Sequence, residues 1–284
     1  MLPQPQNAID TLLPQEMARL AERVGVDKTR LEPSRLIVLA ILAGVFIGFG
    51  SHFSTVVSAG ADGMVAYGVL RLVSGVVFSL GLILVIVGGA ELFTGNNLMV
   101  MAYASGGVRL GELLRAWGLV YLGNLVGAVG LAILVFLAAG YANGGGAVGI
   151  AALVSAQSKA ALSIPQFLIH GVLANILVCL AVWLCYSARS TTDKVVAIIA
   201  PVAAFSASGF EHSVANMYLL SFALLIKLGA PDAFWQTTGQ VSSAFGSLSV
   251  SSALANLLWV SIGNVAGGAL VGITYWFIYL RLRP

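Results

Sequence analysis

Two glutamates and one histidine lie inside long apolar runs, where an ionisable side chain is costly. Glu91 lies in one such run, and Glu211, followed directly by His212, lies in another. Charged or titratable groups in apolar surroundings are paired, hydrogen-bonded or functional, which makes these three residues candidates for ion contact or proton transfer. Imidazole suits both tasks because its unperturbed pKa of ~6.5 is near neutral pH, so it donates either a hydrogen bond or a proton.

The surroundings of the two glutamates repeat within the chain. Residues 89–96 and 209–216 both read Gly-x-Glu-x4-Asn, and residues 123–127 and 263–267 both read Gly-Asn-x-x-Gly. Two matched pairs in the same order indicate that the chain consists of two similar halves. We therefore expect each glutamate to occupy the same structural position in its half.

The composition identifies the solvent in which these halves fold. Of 284 residues, 59% are hydrophobic and 9% are charged, against about 25% charged in soluble domains. Residues 116–158, 160–188 and 233–280 contain no Asp, Glu, Lys or Arg, and a membrane-spanning helix needs only ~20 such residues. This excludes a soluble enzyme, a nucleic-acid-binding protein and a disulfide-stapled secreted domain. It predicts an all-α integral membrane protein.

Apolar runs and turn signals predict six transmembrane helices. They cover approximately residues 34–58, 67–103, 112–137, 164–187, 193–227 and 251–280, with a flexible glycine-rich loop at 140–147. The second and fifth are about 35 residues long, well beyond the ~20 that suffice. We expect both to be broken at their glutamates.

Each half contains three spans, an odd number, so the two halves must be inverted relative to each other. Inverted repeats with broken helices are a recurrent architecture of membrane transport proteins, because irregular backbone at membrane depth is tolerated only when it is buried or lines a cavity. We expect the carboxylates of Glu91 and Glu211 to accept the orphan backbone N–H groups at the breaks. Proton relay or substrate contact is the alternative.

The basic residues predict the orientation in the membrane. Six spans place both termini on one side, together with eleven Lys and Arg side chains, whereas the other side receives only Arg71, Lys159 and Lys227. Positive charge is enriched in cytoplasmic loops, so both termini should be cytoplasmic.

The organisation predicted is a cytoplasmic segment (1–33), a transmembrane domain (34–281) and a short cytoplasmic tail (282–284). Residues 9–24 place Leu13, Met17, Leu20 and Val24 at helical spacing, which indicates an amphipathic helix at the cytoplasmic surface. This helix is either an interfacial anchor or a movable plug over a pore mouth.

No metal or cofactor site is expected. Cys179 and Cys185 are six residues apart and fall on different helical faces, so they suit neither a disulfide nor a metal pair. His52 and His170 lie outside the repeated motifs and are interpreted as hydrogen-bonded core residues.

Lys159 is the only charge between residues 116 and 188. It either draws anions to the non-cytoplasmic mouth or snorkels to the interface.

The motifs around Glu91 and Glu211 resemble those of the formate/nitrite transporter family. The resemblance is carried by Glu-Leu-Phe-Thr-Gly at 91–95 and by Gly-Phe-Glu-His-Ser-Val-Ala-Asn-Met-Tyr at 209–218, and it extends over approximately residues 34–281. The end of the sixth span is most similar to the formate-channel branch. The resemblance implies a homopentamer of six-helix, aquaporin-like protomers, each with its own pore and with its second and fifth helices broken.

The same resemblance implies roles for individual residues. The family's central histidine corresponds to His212, and the pore and substrate-binding positions correspond to Thr94, Asn175, Asn264 and Lys159, beside Glu91 and Glu211. One hydrophobic constriction resembles Phe78 and Phe205, and the other resembles Leu82, Phe93 and Val178.

The expected function is a channel in a bacterial cytoplasmic membrane for small monoanions, most of all formate. A nitrite or hydrosulfide channel of the same family is the alternative. A water- or glycerol-type channel normally carries Asn-Pro-Ala at its breaks, and this sequence has no such triplet. A membrane enzyme would have only Glu91, Glu211 and His212 available, without metal-ligand spacing. No cofactor and no nucleic-acid partner are expected.

Overall fold

A computed structural model describes residues 11–61 and 63–281, and their regular structure is helical throughout. We number eleven α-helices in chain order: α1 Pro14–Thr29, α2 Pro33–Ser58, α3 Tyr67–Gly88, α4 Val100–Ala104, α5 Leu110–Leu137, α6 Ala147–Ala160, α7 Ile164–Ser187, α8 Thr191–Ala207, α9 Ser213–Gly229, α10 Asp232–Thr238 and α11 Val250–Trp276. Short 3₁₀ turns cover Gly95–Met99, Gly140–Ala142 and Ser242–Phe245, and a π-helical turn, Phe277–Arg281, continues α11.

Within these residues, five helical segments are long and apolar enough to cross a bilayer. They are α2, α3, α5, α7 and the segment containing α11. The fifth predicted span is instead divided between α8 and α9, each of 17 residues, which is short of the ~20 that a crossing needs. The all-helical membrane fold is confirmed, while the count of six spans stays a prediction that treats α8 and α9 as one broken span.

Both breaks begin at a glycine in the left-handed region. Gly89 has φ +79° and ends α3, and Gly209 has φ +74° just after α8. A residue with a Cβ rarely adopts this conformation, whereas glycine ends helices with it readily. The six residues from 89 to 94 and the five from 208 to 212 are not helical. The breaks therefore fall at the repeated motifs, as the sequence predicts.

The broken helices are held by long helices that approach each other closely. A Cβ at Gly127 of α5 would overlap the carbonyl oxygen of Ile41 in α2, and a Cβ at Gly267 of α11 would overlap that of Val172 in α7. Glycine at these positions lets the helix backbones touch. The pairs α2–α5 and α7–α11 therefore form matching frames around the two breaks.

Helix α6 departs from the prediction of a flexible loop. The glycine-rich stretch contains a 3₁₀ turn and leads directly into this 14-residue helix, in which Ala152, Leu153 and Ala156 are fully buried. The helix is too short to span a membrane, so it produces no apolar run of spanning length in the sequence. Lys159 lies in its last turn, outside the fourth span as predicted.

Helix α1 begins at Pro14 and runs further than the predicted 9–24, and residues 9 and 10 lie outside the described part. Its buried residues include Met17, Ala18 and Ala21, which pack against a cluster that includes Trp183. The predicted apolar residue Leu13 is instead 55% exposed. Helix α1 therefore packs against the helical body through Met17 and small residues.

Candidate functional site

Two cavities approach the breaks from opposite ends of α3. The outer cavity, our name for the one along the N-terminal half of α3, has a volume of about 640 Å³ and is lined by Phe78, Lys159, Phe205 and His212 among others. The inner cavity, along the C-terminal half of α3, has a volume of about 40 Å³. Its lining includes Lys28, Leu82, Leu92 and Asn96.

Two phenylalanines meet at the floor of the outer cavity. The rings of Phe78 in α3 and Phe205 in α8 pack edge to face with centroids 5.6 Å apart, and both side chains are buried. The ring of Phe205 also stacks on the imidazole of His212 at 5.8 Å. The first predicted constriction is thus a contact between the two halves of the chain, directly beside the histidine.

The second predicted set of apolar residues lies in one buried apolar core. Leu82 lines the inner cavity, and Val178 is buried in the same apolar core. Phe93 is buried in that core as well, and its ring packs edge to face on Tyr121 of α5, with centroids 5.0 Å apart. Leu92, which was not among the predicted residues, lines the inner cavity with Leu82.

Thr94 and His212 meet although 118 residues separate them in the sequence. The threonine Oγ1 lies 2.8 Å from the imidazole Nε2, and both residues are buried. The other ring nitrogen, Nδ1, accepts a hydrogen bond from the backbone N–H of Ala215 and so caps α9. An amide can only donate, so the neutral imidazole carries its hydrogen on Nε2. His212 therefore donates to Thr94, whose hydroxyl hydrogen stays available for another acceptor.

Each glutamate pairs with a lysine rather than with the backbone. In the outer cavity, Lys159 Nζ lies 2.7 Å from Glu211 Oε1, and Asn216 Nδ2 donates to Glu211 Oε2 at 2.6 Å. Asn256 Nδ2 adds a longer contact of 3.4 Å to the same oxygen. The carboxylate is buried, and its charge is balanced by the lysine and these amide donors.

The inner cavity repeats this arrangement with a lysine that the sequence did not single out. Lys28 of α1 lies 2.8 Å from Glu91 Oε2 and donates to Asn96 Oδ1 at 2.7 Å. Asn96 Nδ2 donates to Glu91 at 2.8 Å. Asn96 and Asn216 are the asparagines of the repeated Gly-x-Glu-x4-Asn pattern. The repeated pattern contains both asparagines, whereas no sequence pattern indicates a role for Lys28.

Asparagine amides take the bracing role that we expected of the glutamates, so that expectation is wrong. The backbone N–H of Phe93 donates to Asn124 Oδ1 at 2.9 Å, and that of Ser213 donates to Asn264 Oδ1 at 2.9 Å. Each amide also donates twice to carbonyls, including that of its own glutamate, Glu91 or Glu211. A short neutral amide offers donors and an acceptor together, which a carboxylate cannot.

Asn175 links the first break to α11, the helix whose Asn264 braces the second break. Its Nδ2 donates to the carbonyl of Asn264 at 2.6 Å and to Asn97 Oδ1 at 2.8 Å, with a longer contact of 3.2 Å to the carbonyl of Thr94. Both donors of Asn264 are already used by carbonyls. The donors of these two predicted pore asparagines are therefore engaged in positioning the breaks.

The remaining candidates have local partners. His52 Nδ1 lies 2.9 Å from the Tyr218 hydroxyl, and His170 Nδ1 lies 3.2 Å from the carbonyl of Gly209. Cys179 and Cys185 are buried and free. In residues 11–61 and 63–281, no group of three or more His, Cys, Asp or Glu could hold a metal ion. The arrangement offers hydrogen-bond donors and balanced charges between two cavities.

Comparisons with known proteins show which proteins this chain is similar to. The family model described as formate/nitrite transporter matches residues 15–277. The chain is 44% identical over 277 residues to the formate channel FocA of Escherichia coli strain K12, covering 97% of each protein. It is 33% identical over 250 residues to the nitrite transporter NirC of the same strain, covering 84% of this chain and 82% of that one. A solved structure described as a pentameric formate channel with formate bound superposes with a TM-score of 0.83 at 44% identity, covering 87% of this chain and 98% of the other.

Proposed function

This chain belongs to the formate/nitrite transporter family, and we propose that it conducts small monovalent anions, principally formate, through a pore in each protomer. The relative at 44% identity is a formate channel, and the superposed structure is described with formate bound. The observation that carries the proposal is the 2.8 Å contact between Thr94 and His212, which lies between two lysine-bearing cavities.

The proposed path begins in the outer cavity, where basic side chains raise the local concentration of anions. A monoanion then loses water at Phe78 and Phe205, a step that is costly in an apolar surrounding. Beside the rings it meets the Thr94 hydroxyl, whose oxygen accepts the Nε2–H of His212 and whose hydrogen replaces lost water with a hydrogen bond. On the far side it enters the inner cavity beside Lys28 and leaves. Because both lysines are paired with glutamates, no unbalanced lysine charge holds the anion too tightly to be released.

The geometry supports hydrogen-bond donation by His212 over proton donation. A proton added to Nδ1 would point at the N–H of Ala215, which now donates to that nitrogen at 3.1 Å. Neutral imidazole that gave up its Nε2 hydrogen would become an anion, which is unfavourable in a buried site. Proton transfer to the substrate therefore first requires Nδ1 to leave the start of α9.

The rest of the proposal concerns assembly and location. We place the chain as a homopentamer in a bacterial cytoplasmic membrane, with both termini cytoplasmic, residues 1–33 as an N-terminal segment, 34–281 as the channel domain and 282–284 as the tail. The structural relative is described as pentameric. The family and its relatives are channels and transporters, which implies that this chain is not an enzyme.

The test is radiolabelled formate uptake into proteoliposomes by His212→Phe across a range of pH. We expect uptake to fall at least tenfold, because the substitution removes the Nε2–H donor and adds apolar surface to the dry part of the path. His52→Phe is the matched control, since His52 contacts Tyr218 and not the proposed path. Unchanged uptake and an unchanged pH profile in His212→Phe would contradict the proposal.

Nitrite is the second candidate substrate, and hydrosulfide is the third. The nitrite transporter at 33% identity supports this alternative, and a hydroxyl donor does not discriminate between planar monoanions of similar size. Competition decides between them. If formate is the principal substrate, excess formate suppresses nitrite uptake at a lower concentration than nitrite needs to suppress formate uptake.

A further inference from the structure

The outer cavity contains a second basic side chain, Arg71 of α3. Its Nε donates to the carbonyl of Ala207 at 3.0 Å, and its Nη2 donates to the carbonyl of Ser206 at 2.7 Å. These carbonyls belong to the last turn of α8, whose C-terminal end carries negative partial charge. Arg71 thus holds α8 next to the break that contains His212.

Arg71 lies on the same face of α3 as Ser74 and Phe78, which follow three and seven residues later, and all three line the outer cavity. Seven residues of α-helix rise ~10 Å. Arg71 is therefore two helical turns from the Phe78–Phe205 constriction, and Ser74 lies between them.

Ser74 provides an independent indication of a ligand. Only 8% of the residue is exposed, and its hydroxyl oxygen is buried without a hydrogen-bond partner among the residues that the structure describes. A buried hydroxyl without a partner is unfavourable, and native proteins rarely leave one. An anion in the cavity would accept its hydrogen.

The two basic residues of the outer cavity differ in their charge balance. Lys159 is paired with Glu211 at 2.7 Å, whereas the described partners of Arg71 are carbonyl groups, which carry no formal charge. By the repeated motif, the equivalent carbonyls at the matching break are those of Ile86 and Val87 near the end of α3. No described Lys or Arg side chain donates a hydrogen bond to either of them. The guanidinium is thus particular to the outer side.

We propose that Arg71 and Ser74 form an anion-holding site in the outer cavity, where a small monocarboxylate or similar monoanion waits before it crosses the Phe78–Phe205 constriction. This inference rests on the proposed function and adds to it a position where the anion binds before the constriction. The guanidinium supplies the unbalanced charge through its remaining N–H groups, and the Ser74 hydroxyl supplies a directed hydrogen bond. The site recognises charge and acceptor oxygens, so formate and nitrite should depend on it equally.

The experiment compares Arg71→Gln, Arg71→Lys and Ser74→Ala with the intact protein in proteoliposomes. Initial formate uptake is measured well below saturation, at low and high concentrations of a salt with a large impermeant anion. At low salt, we expect a roughly three- to tenfold loss in Arg71→Gln, the effect of one charge at this range in a partly aqueous cavity. Arg71→Lys should recover most of the lost uptake, and Ser74→Ala should lower uptake about twofold. High salt should reduce the difference in uptake between Arg71→Gln and the intact protein.

Arg109→Gln is the matched control, because Arg109 is 91% exposed and lies outside both cavities. Size-exclusion chromatography of each variant verifies assembly, and Ser74→Ala tests the site independently if Arg71→Gln does not assemble. Equal losses in Arg71→Lys and Arg71→Gln would mean that Arg71 only holds α8, and would overturn the proposal. So would an unaffected Arg71→Gln in an assay where His212→Phe is slow. If the intact protein transports neither formate nor nitrite, the proposed function itself fails.

Discussion

Only 2% of the Glu211 side chain is exposed, and its carboxylate is paired with the amine of Lys159 at 2.7 Å. Removing a carboxylate from water is costly, and the cost is recovered only when a partner and further hydrogen bonds are in place. Asn216 supplies one of these hydrogen bonds. The pair therefore stabilises the break before it contributes anything to anion capture.

We predict that Lys159→Gln destabilises the protein by about 3 kcal/mol, because it leaves a buried carboxylate without its counter-ion. Adding Glu211→Gln should restore most of that loss. The half-saturating formate concentration should rise in the single variant, since a cation is lost and a negative charge is exposed to the path. Thermal unfolding in detergent and concentration-dependent uptake are the measurements.

The control for this cycle is the exposed pair formed by Arg109 and Glu112, whose charged atoms are 4.0 Å apart. Solvent-exposed pairs contribute little, so Arg109→Gln should leave the unfolding temperature unchanged. A Lys159→Gln protein as stable as the intact one would show that Glu211 does not require the lysine.

At the residue scale, the sequence predicted the ionisable groups but not all of their partners. The repeated motif identified Glu91 and Glu211, and the adjacent His212 followed from it. Lys28 lies 63 residues before Glu91, and no local pattern connects a charged residue of an amphipathic helix to a break in another helix. That contact exists only because α1 packs on the folded body.

Among the elements, α5 and α11 fix the spacing of the breaks through glycines that admit a neighbouring carbonyl. Gly127 faces Ile41 of α2, and Gly267 faces Val172 of α7. Asn124 and Asn264 lie three residues before these glycines, so a helix that shifts outward carries the bracing amide with it. Helix packing and the geometry of the breaks are therefore coupled.

We predict that Gly127→Ala destabilises the protein by about 2 kcal/mol or more, because the added methyl group overlaps backbone that cannot move aside. Gly118→Ala is the control in the same helix, since a Cβ there has no atom within 4 Å. Unfolding in detergent should separate the two variants. Formate uptake by Gly127→Ala should also fall. Equal stability of the two variants would show that the close approach of α2 and α5 at Gly127 does not contribute to stability.

The elements that the sequence predicted are those with a strong periodic or length signal. Apolar runs of 20 or more residues predicted α2, α3, α5, α7 and α11, and excess length with a Gly-x-Glu motif located the breaks. Helix α6 was not predicted, because its 14 residues are too few to span a membrane and because they follow four residues of glycine-rich chain. Its stability comes from burial against α9, which is a tertiary effect.

On the scale of the whole molecule, large apolar side chains cover much of the surface. On α5, for example, Leu122, Val126 and Leu134 are each more than half exposed. A single soluble chain does not tolerate such a surface, whereas lipid and neighbouring protomers cover it. The proposed pentamer in a bilayer accounts for it, with each protomer enclosing its own pair of cavities.

We predict that native mass spectrometry detects five copies of the 29.4 kDa chain and that each copy conducts independently. Pentamers that mix intact and His212→Phe chains should then show formate uptake in direct proportion to the intact fraction. Two affinity tags and stepwise purification give pentamers of known composition. A curve that falls more steeply than this proportion would indicate a shared path or cooperation between protomers.

The unequal volumes of the two cavities have a consequence for selectivity. A space of about 640 Å³ holds on the order of twenty water molecules, whereas about 40 Å³ holds one or two. An ion arriving from the outer side keeps its hydration shell as far as Phe78 and then crosses a nearly dry half. We therefore expect ions to be sorted by how tightly they hold water. Divalent anions such as sulfate, whose shells cost the most to remove, should be excluded at this step without any residue that recognises them.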